Sequence, residues 1–578
     1  MAFSRRPALL PRRRADAPAR RSACAAAQQG ETFVGHHSEV TATTRSPIGP
    51  GRDASRRPAR AARRWRERLV AAACAASLGL AALPPVHAQN QLPTLGDPAA
   101  ADFELGTERK FGERIMREIR ADPDFLDDPM LQEYVQSLWQ PLLVQARARG
   151  NLSSDIDERF AWETFLIRDR EVNAFALPGG YVGVYLGMIA VTTTRDELAS
   201  VLAHEMSHVT QRHIARSVAN ASQQTLIGMA ALLVGVPAAS RSGGGDAAQA
   251  AVVGGQAVAA QGMLNFSRDM EREADRVGFS VMTGAGFAPE GMASMFERLD
   301  QSSRFNDSGG FPYLRSHPLT TERIGEARSR LGATPRTPAA AATGALEHTT
   351  AQARARVLMD TRTDALRRWQ ALDADRVTTA QAERLAGAYE SALASTRLRD
   401  WARADASIAK ALTVVNEGAV RDARAERAVT LLKVESLLAR GDAAQATAAL
   451  KPYAAESSRP VLLLRGQAAL AAATPAVLQQ SSGELQTWVA LHPTDALVWG
   501  QLGQVWDKLG QPLRAIRAEA ESRYALGDLP GAIDRLRAGQ RRVQGGGIDF
   551  IDLSVIDSRL RTIEAQRREN AKDEKKER

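Results

Sequence analysis

The sequence predicts an α+β, mainly helical protein in two parts: a front half with a small sheet and an all-α back half. Three observations carry this reading. Between about Leu105 and Leu331, helix-spaced apolar residues are interrupted by two apolar runs flanking a Pro-Gly-Gly turn. From 350 to 565 the pattern stays helical, with recurring turn-plus-small-residue signals. Between the halves, 334–349 is rich in Ala, Thr and Pro, a linker composition.

Taken in order, Ile115, Met116 and Ile119 share one helix face, and Leu131, Tyr134, Val135 and Leu138 share another. Asp127-Asp128-Pro129 reads as the start of the second helix, with Pro in its first turn. Phe160 to Ile167 has strand-like apolar content. The run Asn173, Ala174, Phe175, Ala176, Leu177, Pro178, Gly179, Gly180 then leads into apolar 181–189, which suggests a hairpin or a strand and its return. Thr194 is an N-cap candidate, with Glu197 three residues on as its capping-box partner. Leu198, Val201, Leu202 and Val209 continue at helical spacing. Residues 217–265 are rich in Ala, Gly and Gln. Their apolar stretch from Leu226 to Val236 is too short to span a bilayer, which leaves a mobile hairpin, a membrane-touching element or buried helix packing. Farther on, Trp499-x-x-Leu502-Gly503-x-x-Trp506, with Pro493 before it and Gly510 and Ala515 after it, has the large and small residues of a tetratricopeptide unit. Gly441-Asp442 with Ala446, and Gly527-Asp528 with Ala532, repeat part of that signal at irregular spacing, so the back half reads as a degenerate helical-repeat array. Residues 566–578 read as a charged, frayed tail.

The net charge of +9 invites a nucleic-acid reading that its distribution removes. Residues 1–88 hold 16 Arg against 5 acidic residues, a net of +11, which leaves −2 on the rest. The basic character therefore belongs to the N-terminal segment. Within it, Arg63, Arg64, Arg66 and Arg68 precede an apolar run from Leu69 to Leu83, and Val86-His87-Ala88 gives a small-x-small pattern. Residues 61–88 thus read as a secretory signal peptide, with an uncleaved anchor as the alternative. Residues 1–60 read as a disordered extension or as sequence upstream of the true start. Cys24 and Cys74 both precede the expected cleavage point, so disulfides and cysteine metal sites are not expected in the mature chain.

His204-Glu205-Met206-Ser207-His208 carries the chemistry. Residues four apart share a helix face, so both imidazoles can bind one Zn²⁺, and Glu205 can act as general base on a water the metal activates. A catalytic zinc ordinarily takes three protein ligands. Position 214, where one metal-binding pattern would place a third His, is Ile214, and His213 is out of phase. The other solution is a Glu from a later helix, which Glu271-Arg272-Glu273-Ala274-Asp275 offers. Glu271 and Asp275 share a face, so Glu271 can ligate while Asp275 orients a ligand His. Alone, this run would read as a solvated acidic face; beside the His pair it reads as the missing ligand.

These motifs together, with Asn173 to Gly180 ahead of them, resemble the HtpX/CAAX-prenyl-protease family of zinc metallopeptidases. With a signal peptide and C-terminal repeats, the whole is similar to its periplasmic, β-barrel assembly-enhancing (BepA) group. The likeness covers about residues 100–330; the repeat half matches by architecture more than by motif. It implies a zincin-like metalloprotease domain over 89–333 and one Zn²⁺ held by His204, His208 and Glu271. Glu205 would be the catalytic base, and Asn173 to Gly180 would lie beside the cleft, its strand pairing with an extended substrate. It also implies that His317, in Arg315-Ser316-His317-Pro318-Leu319, approaches the zinc. An imidazole in the fourth position would displace the water Glu205 needs. Otherwise His317 stabilises an oxyanion, or is a helix-start residue. His213 reads as a surface or packing residue, His348 as part of the linker, His492 as a repeat residue, and Trp499 and Trp506 as inter-helix packing.

The leading expectation is a periplasmic zinc endopeptidase for outer-membrane protein quality control. Its repeats would recruit substrates or the barrel-assembly machinery, with peripheral membrane contact and no nucleic acid. The alternative is a chaperone or scaffold whose proteolysis is rare. A peptidoglycan-acting metalloenzyme is a third option, with no cell-wall-binding repeat to support it.

Overall fold

The structure is a computed structural model that describes residues 104–218, 267–304, 312–332, 345–375, 380–417, 421–542 and 550–577. The N-terminal basic and apolar segments, nearly all of the Gly/Ala-rich stretch and most of the expected linker lie outside the described residues.

The front half starts with α1 (Leu105–Ala121), the two-residue strand β1 (Phe125–Leu126) and α2 (Pro129–Ala148). Asp128 caps α2 as expected: its side chain accepts from the Leu131 amide at 3.0 Å, and Pro129 fills the first position, where no N–H is needed. After α3 (Ser154–Arg159) come β2 (Glu163–Ile167), β3 (Ala174–Leu177) and β4 (Tyr181–Tyr185). The sheet order is β1-β2-β4-β3, with β2 parallel to β4 and the other pairs antiparallel. The β3–β4 hairpin closes through Pro178-Gly179-Gly180. Both glycines have positive φ (76° and 88°), which side chains disfavour, so this turn requires glycine there. β3 is an edge strand, yet its residues are buried.

A short helix α4 (Leu186–Val191) leads to α5 (Arg195–Thr210), which packs on β3, α2 and two later helices. Its N-cap is Thr194, whose hydroxyl accepts from the Glu197 amide at 3.1 Å. The Glu197 carboxylate reaches back to the Thr193 amide at 2.7 Å, one residue earlier than a standard capping box, and Arg298 holds it there. Next come α6 (His213–Val218), α7 (Arg268–Gly284), α8 (Glu290–Arg304), α9 (Pro312–Ser316) and α10 (Thr321–Leu331).

The back half is helical throughout its described residues. α11 (Ala345–Met359), α12 (Thr363–Asp375), α13 (Gln381–Leu398), α14 (Trp401–Val415) and α15 (Ala423–Ala439) come first. α16 (Ala443–Leu450), α17 (Arg459–Ala472), α18 (Pro475–Leu491), α19 (Ala496–Lys508), α20 (Pro512–Ala525), α21 (Leu529–Arg542) and α22 (Phe550–Glu577) follow. Helices adjacent in sequence pack together along most of this series. The Gly-Asp signal has a clear use: Gly441 and Gly527 end one helix at positive φ, and Asp442 and Asp528 then accept from the amides of Gln445 and Gly531. Trp499 and Trp506 are buried among these helices. The charged tail expected to fray continues as helix to Glu577.

Two expectations at the junction change. His348 is not in a linker: α11 already runs from Ala345, and His348 is buried, 2.6 Å from the Tyr134 hydroxyl and 3.0 Å from the Thr192 carbonyl. Gln352 on the next turn also donates to the Thr192 carbonyl, and to that of Ala190 at 3.1 Å. α11 is thus a structural member of the front half. One apolar core runs without a break from Phe111 through α11 to Leu432. Among the described residues, no helix is long and apolar enough to cross a membrane.

Candidate metal centre

α5 carries His204, Glu205 and His208, all buried. α7 crosses it closely because Gly278 lies against the Ala203 backbone; a Cβ there would sit 3.1 Å from the Ala203 carbonyl. The crossing sets Glu271 beside both histidines. Glu271 Oε2 is 3.5 Å from His204 Nε2, Glu271 Oε1 is 3.5 Å from His208 Nε2, and the two Nε2 atoms are 3.0 Å apart. His317, between α9 and α10, completes the group. Its Nδ1 is 3.0 Å from Glu271 Oε1 and 3.3 Å from His204 Nε2. One donor atom from each of His204, His208, Glu271 and His317 lies within 4.8 Å of the others.

Four donors around a cation with bonds of about 2.0–2.1 Å stand roughly 3.3 Å apart in a tetrahedron. The separations above bracket that value, and imidazole and carboxylate are borderline donors that suit a divalent metal. The donor set therefore fits a metal ion.

Asp275 lies one turn beyond Glu271, its Oδ1 3.0 Å from His204 Nδ1, where the sequence placed it. Burial opposes a charge on His204, but Asp275 and Glu271 outweigh it and push its pKa up to about 10. Burial would raise Glu271, yet His317 and His204 hold it well below the carboxylate range. Burial drives His208 well below its usual range, so it is neutral, as a ligand must be. Glu205 is raised by burial, with His317 Nε2 3.5 Å from its Oε1.

Three residues at the site were not assigned there from sequence. Arg323 on α10 grips both Asp275 oxygens, at 2.7 and 2.8 Å, and reaches Glu271 Oε2 at 2.8 Å. Tyr313 on α9 stacks on His317 with ring centroids 4.7 Å apart. His213, expected at the surface or in packing, is buried with Nδ1 2.9 Å from His208 Nδ1. A charged residue in a charged helix start and a tyrosine in a short apolar run carry no signal of proximity. Only the spacing from His208 to His213 was visible.

A buried H-E-x-x-H pair joined by a glutamate from a crossing helix is the arrangement of a metallopeptidase domain. Comparison with known proteins narrows this: residues 130–331 match the model of Peptidase family M48. It is 32% identical over 269 residues to the beta-barrel assembly-enhancing protease of Escherichia coli (strain K12), 46% of this chain and 53% of that one. It is 32% identical over 246 residues to the Yersinia pestis protein of the same name, 42% and 48% of the two chains. To the mitochondrial metalloendopeptidase OMA1 of Schizosaccharomyces pombe it is 30% identical over 224 residues, 39% and 60%. The chain thus spans about half the length of the bacterial relatives it matches.

Proposed function

We propose that this protein is a zinc-dependent endopeptidase, exported to the periplasm, that acts in quality control of outer-membrane proteins. The observation that carries the reading is the buried four-donor cluster with Glu205 on the same helix. His204, His208 and Glu271 hold the Zn²⁺, and Asp275 orients His204. A bound zinc ion would supply Lewis-acid polarisation of a scissile carbonyl and activation of water. Glu205 takes the proton from the attacking water; its raised pKa also suits it to hand that proton on to the leaving amine.

His317 regulates access. Its Nδ1 stands at the fourth corner of the cluster, so the resting arrangement leaves water no place there, and α9 must swing away for catalysis. The same short helix lies at the start of β3, where the Tyr313 amide donates to the Val172 carbonyl at 3.3 Å. Moving it would open both the metal and the strand from Asn173 to Gly180, along which an extended substrate adds as a further strand. The tetratricopeptide-like helices recruit the substrate. The names of the bacterial relatives support outer-membrane β-barrel proteins as substrates and the barrel-assembly machinery as partner.

A chaperone or scaffold with rare proteolysis is the second reading, favoured by that closed fourth corner. Glu205→Gln separates the two, because it retains the ligands and removes the base. Casein digestion that is chelator-sensitive in the native protein and lost in the variant supports the endopeptidase. A variant that fully complements a deletion strain makes the scaffold role dominant. Absence of stoichiometric metal in the native protein overturns the catalytic reading.

A further inference from the structure

The two histidines of α5 are backed by different devices. Behind His204 stands Asp275, clamped by Arg323. Behind His208 stands a second imidazole: His208 Nδ1 is 2.9 Å from His213 Nδ1, and His213 Nε2 is 3.1 Å from Glu273 Oε2. Arg216 Nη1 holds the same Glu273 oxygen at 3.1 Å. His213 is fully buried, and the Glu273 side chain is about one-third exposed at 30%.

The turn that delivers His213 is costly. Arg212, between α5 and α6, adopts φ 53°, a left-handed conformation that non-glycine residues seldom take. Its guanidinium is anchored to the buried carboxylate of Glu108 on α1, with Nη2–Oε2 3.1 Å and Nε–Oε2 3.3 Å. The chain thus reverses after α5 under an ion pair that holds the reversal, and the reversal points His213 back at His208.

The direction of the proton chain follows from counting. Each neutral imidazole carries one N–H and one lone pair. If His213 donated through Nδ1, its Nε2 lone pair would face the Glu273 carboxylate, acceptor against acceptor. His213 therefore donates through Nε2 to Glu273 and accepts at Nδ1 from the His208 Nδ1–H. That leaves the His208 lone pair on Nε2, the atom facing Glu271 and His204.

We propose that His213, backed by Glu273 and Arg216, is a positioning residue that fixes His208 in its metal-binding tautomer and orientation. The inference rests on the metal-site reading above. It gives the second histidine a support equivalent to the Asp275–Arg323 pair behind the first, built from α6 and the outer face of α7.

The test is zinc affinity of the full chain, measured by competition with a chromophoric chelator, together with the visible spectrum of the cobalt(II)-loaded protein. His213→Leu keeps an apolar filling and removes the acceptor; it should weaken Zn²⁺ binding roughly 10–100-fold and shift the cobalt bands. His213→Asn sets an amide oxygen near the Nδ1 position and should recover most of the affinity. Glu273→Leu, at a partly exposed position, should weaken binding several-fold and serves if the buried variants do not fold. Unchanged affinity in His213→Leu or Glu273→Leu overturns the proposal, as does an equal loss in His213→Asn, which would mean packing alone. Native protein that binds no stoichiometric zinc instead overturns the metal-site reading itself.

Discussion

Arg354→Met should reveal how firmly the two halves are joined. Arg354 is buried on α11 and makes four charge-assisted bonds. Nε and Nη2 reach Asp128 at 2.8 and 2.7 Å, while Nη1 and Nη2 reach Glu435 on α15 at 2.8 and 2.7 Å. Methionine preserves much of the stem and leaves two carboxylates without their cation. Breaking a buried pair from one side costs about 3–5 kcal/mol. The Asp128 side chain is 6% exposed and bears most of that; Glu435, at 24%, can turn to water. The expected loss is thus about 3–4 kcal/mol at neutral pH. Burial alone would raise the Asp128 pKa, but Arg354 brings it below the ordinary carboxylate value, so its stabilisation is present above about pH 4 and is lost as pH falls through that lowered value. The gap between variant and native protein should therefore close in acid. Urea unfolding followed from pH 7 down to about pH 2 measures both values, and hydrogen exchange in α2 and α15 reports the halves separately. Asp128→Asn keeps an acceptor for the Leu131 amide, so a double-mutant cycle isolates the ion pair. A loss below about 1 kcal/mol, or exchange that rises in α15 but not in α2, would refute a shared core.

Three further outcomes follow from particular contacts. Under the proposed gating role, His317→Ala should increase casein cleavage roughly tenfold, the rise expected on releasing a resting state that is about nine-tenths closed; a decrease would assign the side chain to the oxyanion instead. His348 is held by burial at a pKa of about 4, below its free value near 6.5, so the unfolded chain binds more protons between those values. Stability should consequently decrease as pH is lowered from about 6.5 to about 4, by up to about 1.4 kcal/mol per unit from this residue, and His348→Gln should flatten the slope seen in thermal melts. Gly278→Val should force α7 off the Ala203 backbone, cost about 1–3 kcal/mol in chemical denaturation and weaken zinc binding; native-like values for both would show the crossing is not tight.

The helix that carries the candidate metal centre was legible because its signals are local: Thr194 caps it, Glu197 reaches back, and His204 and His208 repeat at one turn. Glu271 and Asp275 were legible by the same spacing. The features that escaped depend on distant segments meeting. Arg323 sits among Thr, Glu and Arg residues that read as solvated surface, yet its guanidinium is buried against two carboxylates. His348 follows a linker-like composition, yet it helps hold the carbonyl before α5 in place. No periodicity encodes such meetings, because the partner lies 48 residues away for Arg323 and 156 for His348.

The family match ends at residue 331, but the folded unit does not. Thr192 stands two residues before the cap of α5, and its carbonyl is satisfied by His348 and Gln352, beyond that limit. A fragment cut at 331 would deprive this carbonyl of both side chains and the Asp128 carboxylate of Arg354, and strip the cover from α4. The region that matches the family is therefore shorter than the region its contacts tie together. A truncation meant to isolate the peptidase should retain α11 and the helices that α11 packs against.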